Sequence, residues 1–406
     1  MRAVVTGVPP FDLTLAQLRR RTSAKWRAAD PDVLPLWVAE MDVMPARPVV
    51  EALREALDRG DTGYAFDAGY AEAYAELALE RWGFDGFEPA RSAMVTDVML
   101  GAVELLKLLT RPGDTVIVTP PVYPPFYAFA EHLGRRVVEV PLTADLRLDL
   151  PALAGAFGAA GAEGPAAFLL CNPHNPTGTV HSAGELAGVA AAAEATGVRV
   201  VADEIHAPLV LPGASFTPYL AVRGAGRGFS LVSASKGWNL PGLKAAVVFA
   251  GPEAAADLAR LPEEVGHGVS HLGALAHTAA VRRGQEWLDT VIDGLDRNRS
   301  LLGDLLATYL PSVRWIPGAA TYLAWLDFTD LPWTPADEAH DGPPRGDASA
   351  RVGAAAWLLE HTRVLLSSGP AFGTGGERCA RLNFATSATV LTEAVMRMGA
   401  AVAEGS

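Results

Sequence analysis

Residues 229–250 read FSLVSASKGWNLPGLKAAVVFA. Two short apolar runs, FSLV and AAVVFA, enclose a polar turn that carries Lys236 and Lys244, so the stretch reads as strand, turn, strand. Lysine stands only at Lys25, Lys107, Lys236 and Lys244, which makes twenty-nine of the 33 basic residues arginine. Arginine stays protonated and is no nucleophile, whereas its surroundings can deprotonate a lysine and let it attack a carbonyl carbon. A chain that writes most of its positive charge as arginine keeps two amines in this turn, and the neighbouring sequence must say why.

The same alternation of short apolar runs with amphipathic segments extends over residues 90–250. SAMVT, TVIVTPP, AAFLLCN and VRVVADE join FSLVSAS and AAVVFAG as strands. DVMLGAVELLKLLT places Leu100, Val103, Leu106 and Leu109 at helical spacing. This pattern predicts an α/β fold, a mainly parallel sheet covered by helices. Residues 285–310 predict one long helix leading into a smaller α+β part that contains TYLAWLDF, the helix GAAAWLLEHTRV and the strand ARLNFATS. The organisation expected is an N-terminal arm with part of the small domain over 1–46, a large domain over 47–290 and a C-terminal small domain over 291–406. Residues 331–350, rich in Pro, Gly and Asp, read as a surface loop.

Composition narrows the function. The chain of 406 residues is half apolar, enough for a large core, and its net charge of −13 disfavours a nucleic-acid partner bound through a basic face. No signal-peptide core and no run of ~18 apolar residues is visible, so a cytoplasmic protein without a membrane partner is expected. Cys171 and Cys379 are too few for a disulfide framework and read as reduced thiols. His267 and His271 stand at i, i+4, but no carboxylate has metalloprotease spacing, so no metal is expected and the pair reads as packed or capping. GAGRGF at 224–229 imitates a nucleotide-binding loop but precedes a strand instead of following one, which makes it a turn.

In open parallel sheets ligands collect beyond the carboxyl ends of the strands. The residues there are Thr96 and Asp97, then Tyr123, then Asn172 and Asn175 in CNPHNPTG, then Asp203 in DEIH, then Ser233 and Lys236. They supply an aromatic plate, an amide, a carboxylate, a hydroxyl and an amine. A flat phosphorylated heteroaromatic aldehyde needs all five: a surface to stack on, a donor for its phenolic oxygen, a partner for its ring nitrogen, a phosphate ligand and an amine for the aldehyde. Each residue alone has a structural explanation. Asp203 can cap a helix, Tyr123 can be core, Arg381 is one arginine of many, and Trp37, Trp238 and Trp325 fit a pocket wall or a core equally well.

NPHNPTG, VADEIH and SASKGWNLPGLK, in that order and spacing, resemble the motifs of the fold-type I pyridoxal-phosphate enzymes of aminotransferase class I/II, and the resemblance covers nearly the whole chain. Within that family LPLWVAEMD, PPVYPPFY, DEIH and SSGPAFG resemble the branch of cystathionine β-lyases and cysteine-conjugate carbon–sulfur lyases. The resemblance implies the fold-type I architecture, with the large domain binding pyridoxal 5'-phosphate. It makes Lys236 the Schiff-base lysine, Asp203 the partner of the pyridine nitrogen, Asn175 the donor to the phenolic oxygen and Tyr123 the stacking ring. Ser233, Lys244 and the backbone N–H groups of Val98 and Met99 become phosphate ligands. Tyr64 becomes a phosphate contact from the neighbouring subunit, which implies a homodimer with shared sites. Arg381 becomes the grip for the substrate carboxylate, and His206 stands near the cofactor where aminotransferases more often have tyrosine. Asp97 departs from the small residue common in relatives. A carboxylate facing phosphate repels it, so Asp97 is expected to cap its own helix or turn aside.

The function these residues imply is a carbon–sulfur β-lyase acting on cystathionine or a cysteine S-conjugate. An aminotransferase uses the same constellation, and a regulatory protein that retains the cofactor site is a third reading.

Overall fold

The strands predicted between residues 92 and 250 lie side by side in one sheet. The computed structural model describes residues 10–66, 69–331 and 353–404. Its main sheet contains β1 (Ser92–Val95), β2 (Thr115–Val118), β3 (Arg136–Glu139), β4 (Ala166–Cys171), β5 (Arg199–Asp203), β6 (Phe229–Val232) and β7 (Ala246–Ala250). They are ordered β1-β7-β6-β5-β4-β2-β3. β3, β2, β4, β5 and β6 run parallel, and β7 runs antiparallel to both β6 and β1. The carboxyl ends of the other six therefore share one edge, and the Lys236 turn leaves and re-enters the sheet at that edge.

β3 is the one strand of this sheet that the sequence reading omits. It lies at the sheet border, begins with exposed Arg136 and ends with Glu139. Charge on an edge strand keeps another chain from pairing with it, and it also hides the strand from a search for apolar runs.

Alternation along the central strands loads both faces of the sheet. Val116, Val118, Leu169, Val201 and Leu231 pack on one face beneath the helix Val98–Leu109. Ile117, Phe168, Leu170, Val200 and Ala202 pack on the other against Phe157 and Leu186, from the helices Leu150–Glu163 and Ala183–Thr196.

The long helix forms over Gln285–Tyr309. Its Leu288, Leu295 and Leu302 share a cluster with Leu391, Val395 and Met398 of the helix Ala388–Glu404. A second sheet follows in the order β10 (Ser367–Ser368), β11 (Cys379–Asn383), β9 (Leu323–Asp327), β8 (Arg314–Trp315), antiparallel throughout. Leu34 and Pro35 pair with Val364 and Leu365, which ties the N-terminal segment to the C-terminal part of the chain. No helix among the described residues is long and apolar enough to cross a membrane. Apart from Leu331, the segment expected as a surface loop lies outside the described residues.

Candidate active site

The carboxyl edge of the sheet opens into a cavity of about 570 Å³. Val98, Met99, Tyr123, Asn175, Asp203, His206, Ser233, Lys236, Lys244 and Arg381 all line it, so ten of the eleven residues to which the resemblance gives a role at the cofactor or substrate converge. The eleventh, Tyr64, does not reach it: it is 85% exposed, with its ring 6.2 Å from that of His267.

Lys236 lies in the single helical turn Ala234–Gly237 that follows β6, capped by Ser233. Its amine donates to Ala39 O at 3.0 Å. Burial and the nearby positive charge of Arg381 lower its pKa to about 8. Asp203 ends β5, and its Oδ1 accepts from Ile205 N at 3.1 Å. Burial pushes its carboxyl up to about 7. Burial also raises Tyr123 to about 12, with Asp203 the next contributor, and holds His206 well below the usual imidazole range.

Arg381, on β11, is buried at the cavity wall. Its Nη1 donates to Asn175 Oδ1 at 3.0 Å, and its Nη2 donates to Trp37 O at 2.8 Å and Ser367 Oγ at 3.1 Å. These acceptors are neutral, and Arg381 Nε has no hydrogen-bond partner among the described residues. Burial lowers its pKa to about 10. A buried guanidinium with a spare donor and no anion is a ready site for a carboxylate.

Asp97 does cap its own helix. Its side chain accepts from Leu100 N at 2.8 Å, and its other oxygen meets Lys244 Nζ at 2.9 Å. Lys244, read as a phosphate ligand, is thus already paired at the cavity mouth. Val98 and Met99 occupy the first turn of that helix, where backbone N–H groups lack intrahelical acceptors. Ser233 Oγ donates to Ala245 O at 2.8 Å and accepts from Ser235 N at 3.1 Å, which binds the lysine turn together.

Of the three tryptophans, Trp37 lines the cavity, Trp238 is fully buried with its Nε1 donating to Gly284 O, and Trp325 packs against Phe372. His271 Nε2 meets Asp61 Oδ1 at 3.0 Å, and His267 is exposed beside Tyr64 instead of packed. No group of three or more metal-ligating side chains is found among the described residues. Residues 225–227 form a 3₁₀ turn before β6, as expected of GAGRGF.

Sequence reasoning quoted residues 37–42 within LPLWVAEMD but gave their main-chain carbonyls no role. Those carbonyls are claimed by side chains: Trp37 O by Arg381, Val38 O by Asn383, Ala39 O by both Lys236 and Tyr322, Glu40 O by Lys25 and Asn383, and Met41 O by Asn239. Lys25 also forms a buried ion pair with Asp42 at 2.9 Å. The acceptors are main-chain atoms and leave no mark in side-chain identity. The available signal was a few polar donors standing singly beside apolar runs, such as Lys236, Tyr322 and Asn383.

The family model "Aminotransferase class I and II" matches residues 31–398. The chain is 57% identical over 403 residues to a Mycobacterium tuberculosis protein named "Putative cystathionine beta-lyase", covering 98% of both chains. It is 35% identical to the "Cystathionine beta-lyase" of Corynebacterium glutamicum, over 95% of this chain and 98% of that one. Among solved structures, a "putative plp-dependent beta-cystathionase" from Corynebacterium diphtheriae superposes with a TM-score of 0.86 at 32% identity, over 98% of this chain and 99% of that one. By family model, by sequence and by fold, this chain belongs to the class I and II aminotransferase family.

Proposed function

We propose that the protein is a pyridoxal 5'-phosphate-dependent carbon–sulfur β-lyase that splits the Cβ–S bond of cystathionine or a cysteine S-conjugate into a thiol, pyruvate and ammonia. One observation carries the reading: Lys236, Asp203, Asn175, Tyr123 and Arg381, from five separate segments, line a single cavity. The relatives named as cystathionine β-lyases favour elimination over amino-group transfer.

The donor set fits the cofactor. Asp203 is buried with a raised pKa, so a protonated ring nitrogen would supply the positive charge its carboxylate lacks. Tyr123 offers a ring face, Asn175 an amide, and Lys244 with the N–H groups of Val98 and Met99 forms the phosphate end, where Ser233 would join by turning its hydroxyl from Ala245 O. Lys236 is the amine that joins the aldehyde. When bound, pyridoxal phosphate supplies an aldehyde for the substrate amine and a ring that takes up the electron pair released at the α-carbon.

The chain's own residues do the rest. Arg381 grips the substrate carboxylate, trading neutral acceptors for an anion. Lys236 removes the α-proton; a pKa near 8 leaves a usable share of free amine at neutral pH. The Cβ–S bond breaks with its electron pair on sulfur, the thiolate gains a proton, and the remaining three-carbon enamine hydrolyses to pyruvate and ammonia. Asp203 keeps the ring nitrogen protonated throughout, and His206 lines the cavity as a neutral imidazole.

The same reading assigns Tyr64 to the site of a second subunit in a homodimer, which its exposure and distance from its own cavity support. It also divides the chain into the arm, the large domain and the small domain at residues 46 and 290. The test is pyruvate release from L-cystathionine by cofactor-loaded protein with no keto acid present. Sustained pyruvate with thiol in step is expected. Conversion of the cofactor to its amine form without pyruvate would establish the aminotransferase instead.

A further inference from the structure

We propose that Tyr322 is a positioning residue for Lys236 and acts through the main-chain carbonyl of Ala39. The inference rests on the reading of Lys236 as the working amine and adds a residue that no motif contains. Tyr322 Oη donates to Ala39 O at 2.9 Å, and Lys236 Nζ donates to the same oxygen at 3.0 Å. A carbonyl oxygen has two lone pairs, and these two donors use both. Tyr322 is fully buried, so its phenol has no water to turn to.

The backbone that delivers Tyr322 is a second, independent observation. Thr321 has φ +71° and is fully buried. The left-handed region is strongly disfavoured for a β-branched residue, and such conformers persist only where their surroundings impose them, commonly at functional sites. Here the surroundings are visible. Thr321 N donates to Leu209 O at 2.9 Å, in the turn that follows His206, and Thr321 Oγ1 accepts from Leu323 N at 3.1 Å. The strained residue sits immediately before Tyr322, whose ring stands edge-on to His206 at 6.1 Å.

Ala39 lies outside any sheet, so no ladder of backbone hydrogen bonds fixes the direction of its carbonyl. Its neighbours Val38 and Glu40 are held by Asn383 and Lys25, whereas among the described residues Ala39 O has only Tyr322 once the lysine departs. A lysine amine at the end of a flexible four-carbon stem reaches its reacting atom precisely only if it starts from a defined place. Tyr322 keeps that place defined.

Tyr322→Phe keeps the ring and removes the hydroxyl. In cofactor-free protein, two quantities separate positioning from general structure. One is the rate at which added pyridoxal phosphate becomes covalently attached to Lys236, followed by borohydride trapping and mass spectrometry of the Lys236 peptide. The other is the affinity for pyridoxamine phosphate, which has an amine in place of the aldehyde and cannot join the lysine. The expected result is attachment slowed roughly 10-fold with amine-cofactor affinity unchanged. Attachment at the wild-type rate would overturn the proposal, and so would a parallel loss of both quantities, which marks a merely structural role. If the wild-type protein itself gains no adduct on Lys236, the reading of that lysine fails, and this inference fails with it.

Discussion

Replacing Lys25 by Met should destabilise the folded protein by about 3 kcal/mol. Lys25 and Asp42 side chains are 1% and 0% exposed and meet at 2.9 Å. Met preserves most of the apolar stem, so packing changes little and the loss is mainly electrostatic. Removing one member of a buried pair costs about 3–5 kcal/mol, because the remaining charge is stranded away from water. Asp42 is not wholly abandoned: Trp26 Nε1 still donates to it at 2.9 Å, and Arg21 Nη1 lies 3.9 Å away with its side chain 27% exposed. Those contacts put the expected loss at the lower end of the range. Glu40 O also loses its lysine donor but keeps Asn383 at 2.7 Å. The assay is urea unfolding at neutral pH of the wild type, Lys25→Met and the double variant Lys25→Met/Asp42→Asn. The double variant should recover at least half of the loss, since an amide is neutral and still accepts from Trp26. A loss below about 1 kcal/mol, or a double variant no more stable than the single one, would refute the stranded-charge argument. Because the pair anchors the segment bearing Ala39, turnover should fall in Lys25→Met as well.

Other perturbations probe the cavity and its surroundings. Arg381→Ala should weaken amino-acid binding by ~2–5 kcal/mol while cofactor still attaches, and unchanged substrate affinity by titration would contradict the carboxylate assignment. Asp97→Asn keeps a capping oxygen for Leu100 N, removes the charge nearest the phosphate end and frees Lys244, so equilibrium dialysis should find pyridoxal phosphate bound ~3-fold more tightly. Weaker binding would show that the ion pair supports the site. Glu204 is fully buried, accepts from Tyr219 N at 2.6 Å, and has its pKa raised by burial to about 8. The native state therefore holds a proton that the unfolded chain releases, and stability should fall as pH rises from the ordinary carboxylate range towards 8, by up to ~1.4 kcal/mol per pH unit. Glu204→Gln should flatten that slope in a pH series of unfolding curves, and an unchanged slope would sink the assignment.

What was legible in the sequence and what was not follow one physical division. Asp203, Lys236 and Asn175, whose side chains line the cavity just beyond strand ends, lie in short contiguous motifs because each strand delivers its side chain at one place. Arg381 was found through its resemblance to a family motif; its contacts with Trp37 O and Ser367 were not, because one acceptor is a main-chain carbonyl 344 residues away and the other sits opposite it on the neighbouring strand, a pairing that no local pattern shows. Tyr322 looked like an ordinary residue of an apolar strand, and only the left-handed Thr321 beside it marks it as unusual. The three tryptophans were undecidable because pocket walls and cores share the same composition. β3 was overlooked because its charged ends suit the edge of a sheet better than its middle.

The central claim is elimination at sulfur driven by the amine of Lys236. The most direct test supplies L-cystathionine to cofactor-loaded wild-type and Lys236→Ala proteins without a keto acid and measures pyruvate and thiol together. Equimolar, sustained release of both is expected from the wild type and none from Lys236→Ala. Equal release from the two proteins, or wild-type amino-group transfer without thiol, would contradict it.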